Sequence, residues 1–294
     1  ARQRLHQRLS AMQEAIVFSL NVSYGIISLA LLVLGLAIIF GLLGVLNMAH
    51  GELVAIGAYT AWAVQSAGLP LLLALPVAAV AAGAIGWLME ITIIRHLYRR
   101  PFDTLLATWG ISILLREAIK LCFGLEYKSV IEPVGGSITI LGADYPTYRI
   151  WLMVAVVLGF VGLFLWYRRS HAGTRVRAMV ANPMLASAVG IETAKLARRA
   201  FVLGAASAGL AGCLMAPLIR IDPYMGVDYL LSSFFVLVVG GLGSLPGVFI
   251  GSGVIGGAET AASTILGGTG GYVTVLVISI LFLWLKPGGL YARR

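Results

Sequence analysis

Two long apolar blocks, at residues 12–94 and 200–286, limit the folds that this chain can adopt. Each is about four times as long as the ~20 residues with which a helix crosses the hydrocarbon core of a bilayer. Their apolar residues run continuously and do not alternate with polar ones, which disfavours a transmembrane β-barrel. Only 11% of the residues are charged, against roughly 25% in soluble domains. The sequence therefore predicts an all-α polytopic membrane protein.

Four basic regions, at residues 2–8, 95–103, 168–199 and 286–294, flank or separate the apolar stretches. The positive-inside rule places such regions in the cytoplasm. The net charge of +9 is concentrated in these regions. It therefore indicates an orientation in the membrane, and no nucleic-acid partner is expected.

The number of spans depends on how the apolar blocks are divided. If all four basic regions are cytoplasmic, spans at about 104–123 and 150–167 fit, with an external loop at about 124–149 between them. Each apolar block could hold two long spans plus re-entrant pieces, three spans, or four short ones. Three in the first block would put the basic amino terminus outside. We expect about eight spans, with glycine-broken or re-entrant segments, in a single transmembrane domain over residues 1–294.

Polar residues and glycines interrupt corresponding parts of the two blocks. The segment GLLGVLNMAHGELVAIGAY (residues 41–59) carries Asn47, His50 and Glu52 among four glycines, and residues 238–259 carry eight glycines. Such interrupted segments are typical of a transport pathway built from broken helices, whereas small residues alone also allow close helix packing. The polar side chains favour a pathway, because polar groups at membrane depth usually face a bundle interior or a wet cavity.

The basic region at residues 168–199 contains a predicted short helix. Asn182 and Pro183 form a start signal and Gly190 a stop signal. The PMLASAV core between them is apolar, although the loop should be solvated. Such a face favours docking into a groove of a partner protein. The alternative, a helix lying on the membrane surface, would favour bulkier apolar anchors than Ala and Ser.

Motifs for catalysis or nucleotide binding do not occur in this sequence. The glycine-rich GGTGG at residues 267–271 lacks the lysine of a phosphate-binding loop. His50 and Glu52 do not share a helix face, and no second metal-ligand cluster accompanies them. The chain is therefore predicted to be neither an enzyme nor a metal protein and to carry no cofactor of its own.

Four segments carry a resemblance to one permease family. GVLNMAHGELVAIGAY (44–59) is similar to a signature near the amino end of that family, and RAMVANPMLASAVGIETAKLARRAFVLGAASAGLAG (177–212) to its cytoplasmic coupling loop and following span. VVGGLGSLPGVFIGSGVIGGAE (238–259) and WLKPGGLYARR (284–294) resemble its glycine-rich segment and its ending. The segments occur in the same order and cover most of the chain. The chain thus resembles the branched-chain amino acid and urea group of ATP-binding cassette (ABC) importer permeases, the LivH/UrtB type.

This resemblance implies an ABC importer permease fold, a place in the bacterial inner membrane, and a subunit that translocates a small polar solute through the lipid bilayer. It also implies four partners. These are a second permease of the LivM/UrtC type, two ATP-binding subunits that carry ATP and Mg, and a periplasmic solute-binding protein.

The cytoplasmic loop would then contain the coupling helix that sits in a groove of an ATP-binding subunit. The residues expected to contribute to this coupling are Arg177, Asn182, Pro183, Ala186, Ala188 and Gly190. ATP-driven closure would push on this helix and rock the bundle between outward- and inward-facing states. Ala186→Asp or Ala188→Asp is expected to uncouple hydrolysis from transport while the protein stays folded.

The resemblance also places the amino-terminal signature beside the translocation pathway. The residues predicted to line this pathway are Asn47, His50, Gly51, Glu52, Thr108 and Gly243. Under this interpretation, His50→Leu lowers transport more than assembly. In the alternative interpretation, Asn47 and His50 only close hydrogen bonds that a helix break leaves open, and Glu52 and Glu259 are buried structural acids.

Other charged residues near the ends of spans have simpler interpretations. Glu90, near the cytoplasmic end of a span, is expected to have an interfacial role. Arg116, Glu117 and Lys120 are predicted to form the external edge of a helix, either solvated or in contact with the binding protein.

The substrate stays open between two branches of the family. TLLATWGISILL at residues 104–115 is closer to the urea branch, and GLGSLPG at residues 241–247 is closer to the LivH branch. Branched-chain or other amino acids, urea and short amides all fit. A self-sufficient secondary transporter or channel for a small neutral solute is the alternative function, but it would need coupling-ion ligands.

Overall fold

The computed structural model describes residues 2–98, 100–241, 245–286 and 289–290. In this part of the chain nearly all of the regular secondary structure is helical. The α-helices are α1 (Arg2–Leu43), α2 (His50–Ser66), α3 (Leu71–Met89), α4 (Arg95–Leu97), α5 (Pro101–Phe123), α6 (Thr147–Arg169), α7 (His171–Ala181), α8 (Pro183–Ala188), α9 (Thr193–Met215), α10 (Met225–Gly240), α11 (Leu245–Leu266) and α12 (Gly268–Leu285). The other elements are a π-helix (Glu90–Ile94), a 3₁₀ turn (Ala216–Leu218) and the strands β1 (Ser137–Ile140) and β2 (Ala143–Pro146).

Within the described residues, six helical segments are long and apolar enough to cross a membrane. They are Ser10–Leu43, Leu71–Leu97, Thr147–Arg169, Thr193–Leu218, Pro246–Leu266 and Gly268–Leu285. The shorter apolar helix α10 and the helices α2 and α5 lie between these segments in the chain, so the number is close to the eight expected. The prediction of an all-α polytopic membrane protein is confirmed.

The amino-terminal part of α1 lies at the end of the bundle that carries the predicted external loop. The Gln13 amide nitrogen donates to the Gly142 carbonyl oxygen at 2.7 Å, in the turn of the predicted external loop. At the other end of α1, Leu43 packs with Ile94, next to the basic region after α3. Three helices, α1 to α3, occupy the first apolar block, and the block begins and finishes at opposite ends of the bundle. This arrangement agrees with the division of the block that would put the amino terminus outside.

The predicted external loop contains a small antiparallel hairpin that leads directly into α6. Strand β1 pairs with β2, with Ile140 opposite Ala143. The two turn residues, Leu141 and Gly142, have φ of 50° and 87°, as a two-residue turn with positive φ at both positions requires. The hairpin places the first turn of α6 beside α1.

Helix α9 lies at the centre of the bundle and packs against α1, α2 and α3. Glycines allow the closest approaches. A Cβ at Gly212 would lie 1.9 Å from the Val54 carbonyl oxygen, and a Cβ at Gly57 would lie 1.9 Å from the Gly209 carbonyl oxygen. Glycine in these helices therefore serves close helix packing, which the sequence left as one of two interpretations.

We expect Gly212→Ala to destabilise the protein, because the added methyl group overlaps the Val54 carbonyl and forces α2 away from α9. Over-packing of this kind costs about 1–3 kcal/mol. Gly159→Ala on α6 is the matched control, since no atom of another helix in the described part of the chain lies within 4 Å of its Cβ position. Thermal unfolding in detergent should show a lower midpoint for the Gly212 variant alone. Equal midpoints would contradict the close contact.

Candidate functional site

A break between α1 and α2 leaves six residues of the bundle outside any helix. Helix α1 ends at Leu43, Gly44 turns the chain with a φ of 64°, and α2 begins at His50. Asn47 and Ala49 in this break are buried. Backbone N–H and C=O groups at membrane depth must find partners within the protein or its cavities. The break therefore needs additional hydrogen bonds.

Two side chains hydrogen bond with the backbone of the break. The Asn47 Oδ1 accepts from the Ala49 N–H at 3.1 Å. The Thr108 Oγ1 of α5 accepts from the Met48 N–H, also at 3.1 Å, and donates to the Leu105 carbonyl of its own helix at 3.0 Å. Both residues thus satisfy backbone donors that the end of α1 and the start of α2 leave open.

His50 connects the break to α1. Its Nε2 lies 2.8 Å from the Leu32 carbonyl oxygen, and because a carbonyl can only accept, this nitrogen carries the proton. The imidazole is fully buried, and its Cε1 would touch a Cβ at Gly35. Its Nδ1 is buried without a hydrogen-bond partner in the described part of the chain. An imidazole held in this way stabilises the contact between α1 and α2.

Helix α5 presents a polar stripe to the break. Its members recur at intervals of four and so share one helix face; they are Thr104, Thr108, Ser112 and Arg116. The residues that α5 buries are Thr104, Thr108, Ser112 and Ile119. Since three of these four side chains are polar, hydrogen bonds attach α5 to the bundle together with the apolar contacts of Ile119 and Phe123.

Glu52 receives three hydrogen bonds from this stripe. Its Oε1 accepts from the Ser112 hydroxyl at 2.8 Å and from the Arg116 Nε and Nη2 at 3.1 and 2.5 Å. The Glu52 side chain is 1% exposed and that of Arg116 is 18% exposed. The second carboxylate oxygen is buried without a partner among the described residues and lies against Gly226. This geometry supports the interpretation of Glu52 as a buried structural acid.

The structure brings together five of the six residues predicted to line the pathway, namely Asn47, His50, Gly51, Glu52 and Thr108. They are all buried, and a Cβ at Gly51 would lie 1.8 Å from the Gly226 carbonyl oxygen. Their contacts support the alternative interpretation, in which they close the break and hold α5 and α10 against it. Gly243 lies outside the described residues.

Two members of this site escaped the sequence analysis. Ser112 has no sequence motif of its own, and Arg116 is not the solvated residue that one of its two expected environments requires, because its guanidinium points to Glu52. Glu117 and Lys120 do form an exposed pair at 2.7 Å, with Lys120 over the Tyr224 ring. The interval of four between the polar residues of α5 is the signal that could have found both.

We expect His50→Leu to reduce folded permease and transport in the same proportion. The change removes a buried hydrogen bond to the Leu32 carbonyl, which costs about 1–3 kcal/mol when a buried group loses its partner. Thr60→Val is a matched control on α2, since the Thr60 hydroxyl donates to the Ile56 carbonyl of its own helix. Uptake per folded molecule, measured beside the yield of purified complex, distinguishes the roles. A fall in uptake per molecule would instead favour the pathway.

A second ion pair joins α9 to the π-helix at the cytoplasmic end of the bundle. The Glu90 carboxylate accepts from the Arg198 Nε at 2.7 Å and from the Tyr98 hydroxyl at 3.1 Å. The Glu90 side chain is almost completely buried. These contacts give Glu90 a structural role within the bundle, because they connect the π-helix after α3 to the base of α9.

Helix α8 has the boundaries that the sequence predicted. The Asn182 Oδ1 accepts from the N–H groups of Met184 and Leu185, both at 3.0 Å. Pro183 is the first helical residue, and Gly190 follows the helix with a φ of 86°. The predicted start and stop signals are confirmed.

The apolar side chains of α8 divide between two directions. Met184, Leu185 and Val189 are 82%, 64% and 76% exposed, whereas Ala186 is 3% exposed. Ala186 therefore packs inside the chain and does not belong to the exposed face. The expectation that Ala186→Asp leaves the protein folded is corrected accordingly, because that change would bury an unpaired carboxylate. Ala188 remains on the exposed side.

Arg177 fixes α7 against the end of α6. Its guanidinium donates to the Tyr167 carbonyl, to the Arg168 carbonyl and to the Thr174 hydroxyl, and it lies over the Tyr167 ring. The Arg177 side chain thus orients the loop that presents α8.

The sequence of this chain is similar to those of known transport permeases. A family profile described as "Branched-chain amino acid transport system / permease component" matches residues 18–288. The chain is 29% identical over 286 residues to the high-affinity branched-chain amino acid transport system permease protein LivH of Escherichia coli strain K12, with 90% of this chain and 91% of that protein covered. It is 28% identical over 265 residues to the permease protein LivM of the same system and organism, with 78% and 62% covered.

One solved structure has a similar overall fold. A chain of PsaBC from Streptococcus pneumoniae in complex with Fab matches with a TM-score of 0.52 and 13% identity, over 93% of this chain and 94% of that chain. At this identity the likeness concerns the fold alone.

Proposed function

This chain belongs to the permease family of the branched-chain amino acid transport system, and on this basis we propose that it is the LivH-like membrane subunit of an ABC importer for branched-chain amino acids. The relatives are named transport permease proteins, and the chain is a transport subunit and not an enzyme. It is a multi-pass membrane protein. Its proposed location is the bacterial inner membrane.

The importer would contain four kinds of partner. A second, LivM-like permease would pair with this chain, in keeping with its similarity to both LivH and LivM. Two ATP-binding subunits would bind ATP and Mg at the cytoplasmic face. A solute-binding protein would deliver the amino acid to the opposite face. The absence of a phosphate-binding loop from the sequence agrees with ATP hydrolysis on separate subunits.

The exposed apolar face of α8 is the observation that carries this proposal. The helix is short, lies in a basic loop and is held by capping hydrogen bonds at its start. Its large exposed apolar side chains fit a groove in a partner protein. The face consists of Met184, Leu185, Ala188 and Val189, which we call the docking face. An ATP-binding subunit is the partner that the family implies for it.

Movement of α8 would reach the bundle through α9. Helix α8 contacts α7 and α9, and α9 packs against α1, α2 and α3. The Glu90–Arg198 pair ties α3 to the base of the same helix. Because glycines bring α9 so close to its neighbours, a push on α9 would displace these helices as a unit. This is the rigid-body rocking that alternating access requires.

The comparisons favour amino acids over urea as the substrate and a permease subunit over a self-sufficient transporter. The names of the relatives refer to branched-chain amino acids, and those names also describe a component of a transport system. Leucine, isoleucine and valine are therefore the substrates to test first, and urea and acetamide are the comparators.

Reconstitution of the whole importer tests this proposal. The chain would be purified with its LivM-like partner and the two ATP-binding subunits, inserted into liposomes, and supplied with the binding protein. We expect uptake of radiolabelled leucine that requires ATP inside and binding protein outside, and no comparable uptake of urea. Leucine uptake by this chain alone without ATP would overturn the proposal in favour of a secondary transporter.

A further inference from the structure

A cavity of about 460 Å³ lies between α1, α10 and α11, and Arg149 in the first turn of α6 also lines it. Leu32 lines it and also accepts the hydrogen bond from His50, whereas Asn47, His50, Glu52 and Thr108 are not part of its lining. Arg149 follows directly after the external hairpin, and Asn21 of α1 lies beside it. The cavity is therefore in the half of the protein that a solute arriving from outside meets first. Its volume falls within the range of small-molecule sites.

Two opposite charges line this cavity without pairing with each other. Among the described residues, no ion pair joins Arg149 to Glu259 within 4.0 Å, and the Glu259 carboxylate has no hydrogen bond. Glu259 is partly buried and lies in a segment apolar enough to span the membrane, where an acid without a partner is costly. A purely structural acid would be expected to have a partner, as Glu52 has Arg116.

The Arg149 guanidinium is oriented but only partly used. Its Nη1 donates to the Asn21 Oδ1 at 3.2 Å, and the group lies over the ring of Tyr24 at 4.9 Å. Its Nε is buried and has no partner in the described part of the chain. The Asn21 Oδ1 also accepts from the Tyr145 hydroxyl, which fixes the amide. A guanidinium held in this way can still offer a planar pair of N–H groups to a carboxylate.

The remaining lining suits a small amphipathic solute. The hydroxyl groups of Tyr229, Ser232 and Thr260 make no hydrogen bond to the described residues. Leu29, Leu32 and Met215 form an apolar part of the wall. The cavity thus combines one cation, one anion, free hydroxyl groups and an aliphatic surface.

We propose that this cavity binds a free aliphatic α-amino acid as a zwitterion on its way through the permease. The α-carboxylate binds the Arg149 guanidinium, the α-ammonium group binds the Glu259 carboxylate, and the aliphatic side chain packs on the leucine and methionine side chains of the wall. This assignment rests on the proposed function as an importer subunit and adds a substrate site to it. Urea, which carries no charge, would not engage either ionic group.

Direct binding to the importer without its solute-binding protein tests the site. The complex of both permeases and the ATP-binding subunits, in detergent, would be titrated with radiolabelled L-leucine. The competitors would be 4-methylpentanoate, which lacks the ammonium group, and 3-methylbutylamine, which lacks the carboxylate. We expect saturable leucine binding with a Kd in the millimolar range or tighter. Each competitor should bind roughly tenfold or more weakly than leucine.

Two variants assign the charges. Glu259→Gln should lower the affinity for leucine at least about tenfold. It should leave the affinity for 4-methylpentanoate unchanged, because only the ammonium contact is lost. Arg149→Lys keeps a positive charge but loses the planar pair of N–H groups. It should lower the affinity for leucine and leave the affinity for 3-methylbutylamine unchanged. Thr264→Val is the matched control in the same cavity, since the Thr264 hydroxyl already donates to the Thr260 carbonyl.

The outcomes separate the site from the proposed function. If the wild-type importer takes up leucine with ATP, but leucine binding is absent or equal in Glu259→Gln and the Thr264 control, the site is wrong and the function stands. If the wild-type importer takes up no aliphatic amino acid, the proposed function itself fails. Loss of leucine binding in Glu259→Gln with retained 4-methylpentanoate binding supports the site in either case.

Discussion

Replacing Arg116 with Met should lower the stability of the folded permease by about 3–5 kcal/mol, the cost of leaving one partner of a buried ion pair uncompensated. Glu52 is 1% exposed, and two of the three hydrogen bonds on its Oε1 come from Arg116. Its second oxygen already has no partner among the described residues. Without the guanidinium, the buried Glu52 carboxylate has no opposite charge beside it, which is costly.

The loss should be concentrated at α5, because this helix carries Arg116 and most of its fully buried side chains are polar. Apart from Ile119, its fully buried residues are Thr104, Thr108 and Ser112, which carry the hydroxyl groups of the polar stripe. Limited proteolysis of the loops at either end of α5, beside thermal unfolding in detergent, would measure both local and global effects. We expect early cleavage at these loops in the Arg116→Met protein.

A double-mutant cycle distinguishes the ion pair from simple packing. Glu52→Gln combined with Arg116→Met removes both charges and should recover a substantial part of the lost stability, since no charge is left buried. Lys120→Met is the matched control on the same helix. Its pair with the half-exposed Glu117 should contribute at most about 1 kcal/mol. An Arg116 variant no less stable than the Lys120 variant would contradict the argument.

The polar stripe shows what could be predicted at this site and what could not. The interval of four that joins Thr108, Ser112 and Arg116 is visible in the sequence, because helix periodicity alone groups these residues. Their partner is not visible, since Glu52 lies 64 positions before Arg116 and meets it only because the break turns α2 towards α5. The residue types at the break were therefore predictable, whereas their pairing was not.

The ends of α8 were predictable from the sequence, whereas the number of helices in the first apolar block was not. Asn182, Pro183 and Gly190 determine the bounds of α8 through local hydrogen bonds and φ angles, which a short sequence window contains. The side of the amino terminus depends on how many helices residues 12–94 form. The positive-inside rule uses only the charge of the loops, so it does not determine this number.

Leu185→Asp should abolish most ATP-driven uptake while leaving the two permeases assembled. Leu185 is largely exposed on the docking face, so the free protein loses little when it is replaced. In the complex, a carboxylate would enter an apolar groove, and truncation of such an anchor typically costs about 2 kcal/mol or more, roughly thirtyfold in affinity. Ala188→Asp, on the same face, should act in the same direction.

The position of each residue around α8 supplies the controls. With roughly 3.6 residues per turn, Ser187 lies off the docking face, and its hydroxyl donates to the Met184 carbonyl of the same helix. Ser187→Asp should therefore retain uptake close to that of the unmodified importer. Ala186→Asp should instead reduce the yield of folded permease, because Ala186 is buried against the chain.

Measurement of leucine uptake, substrate-stimulated ATP hydrolysis and subunit content in the same proteoliposomes separates these effects. Leu185→Asp should retain the LivM-like partner but lose bound ATP-binding subunits or the stimulation of their hydrolysis. If Leu185→Asp and Ser187→Asp transport equally well, the docking face does not transmit the ATP-driven movement. The route from α8 through α9 to the three helices packed on it would then have to begin at another part of the cytoplasmic loop.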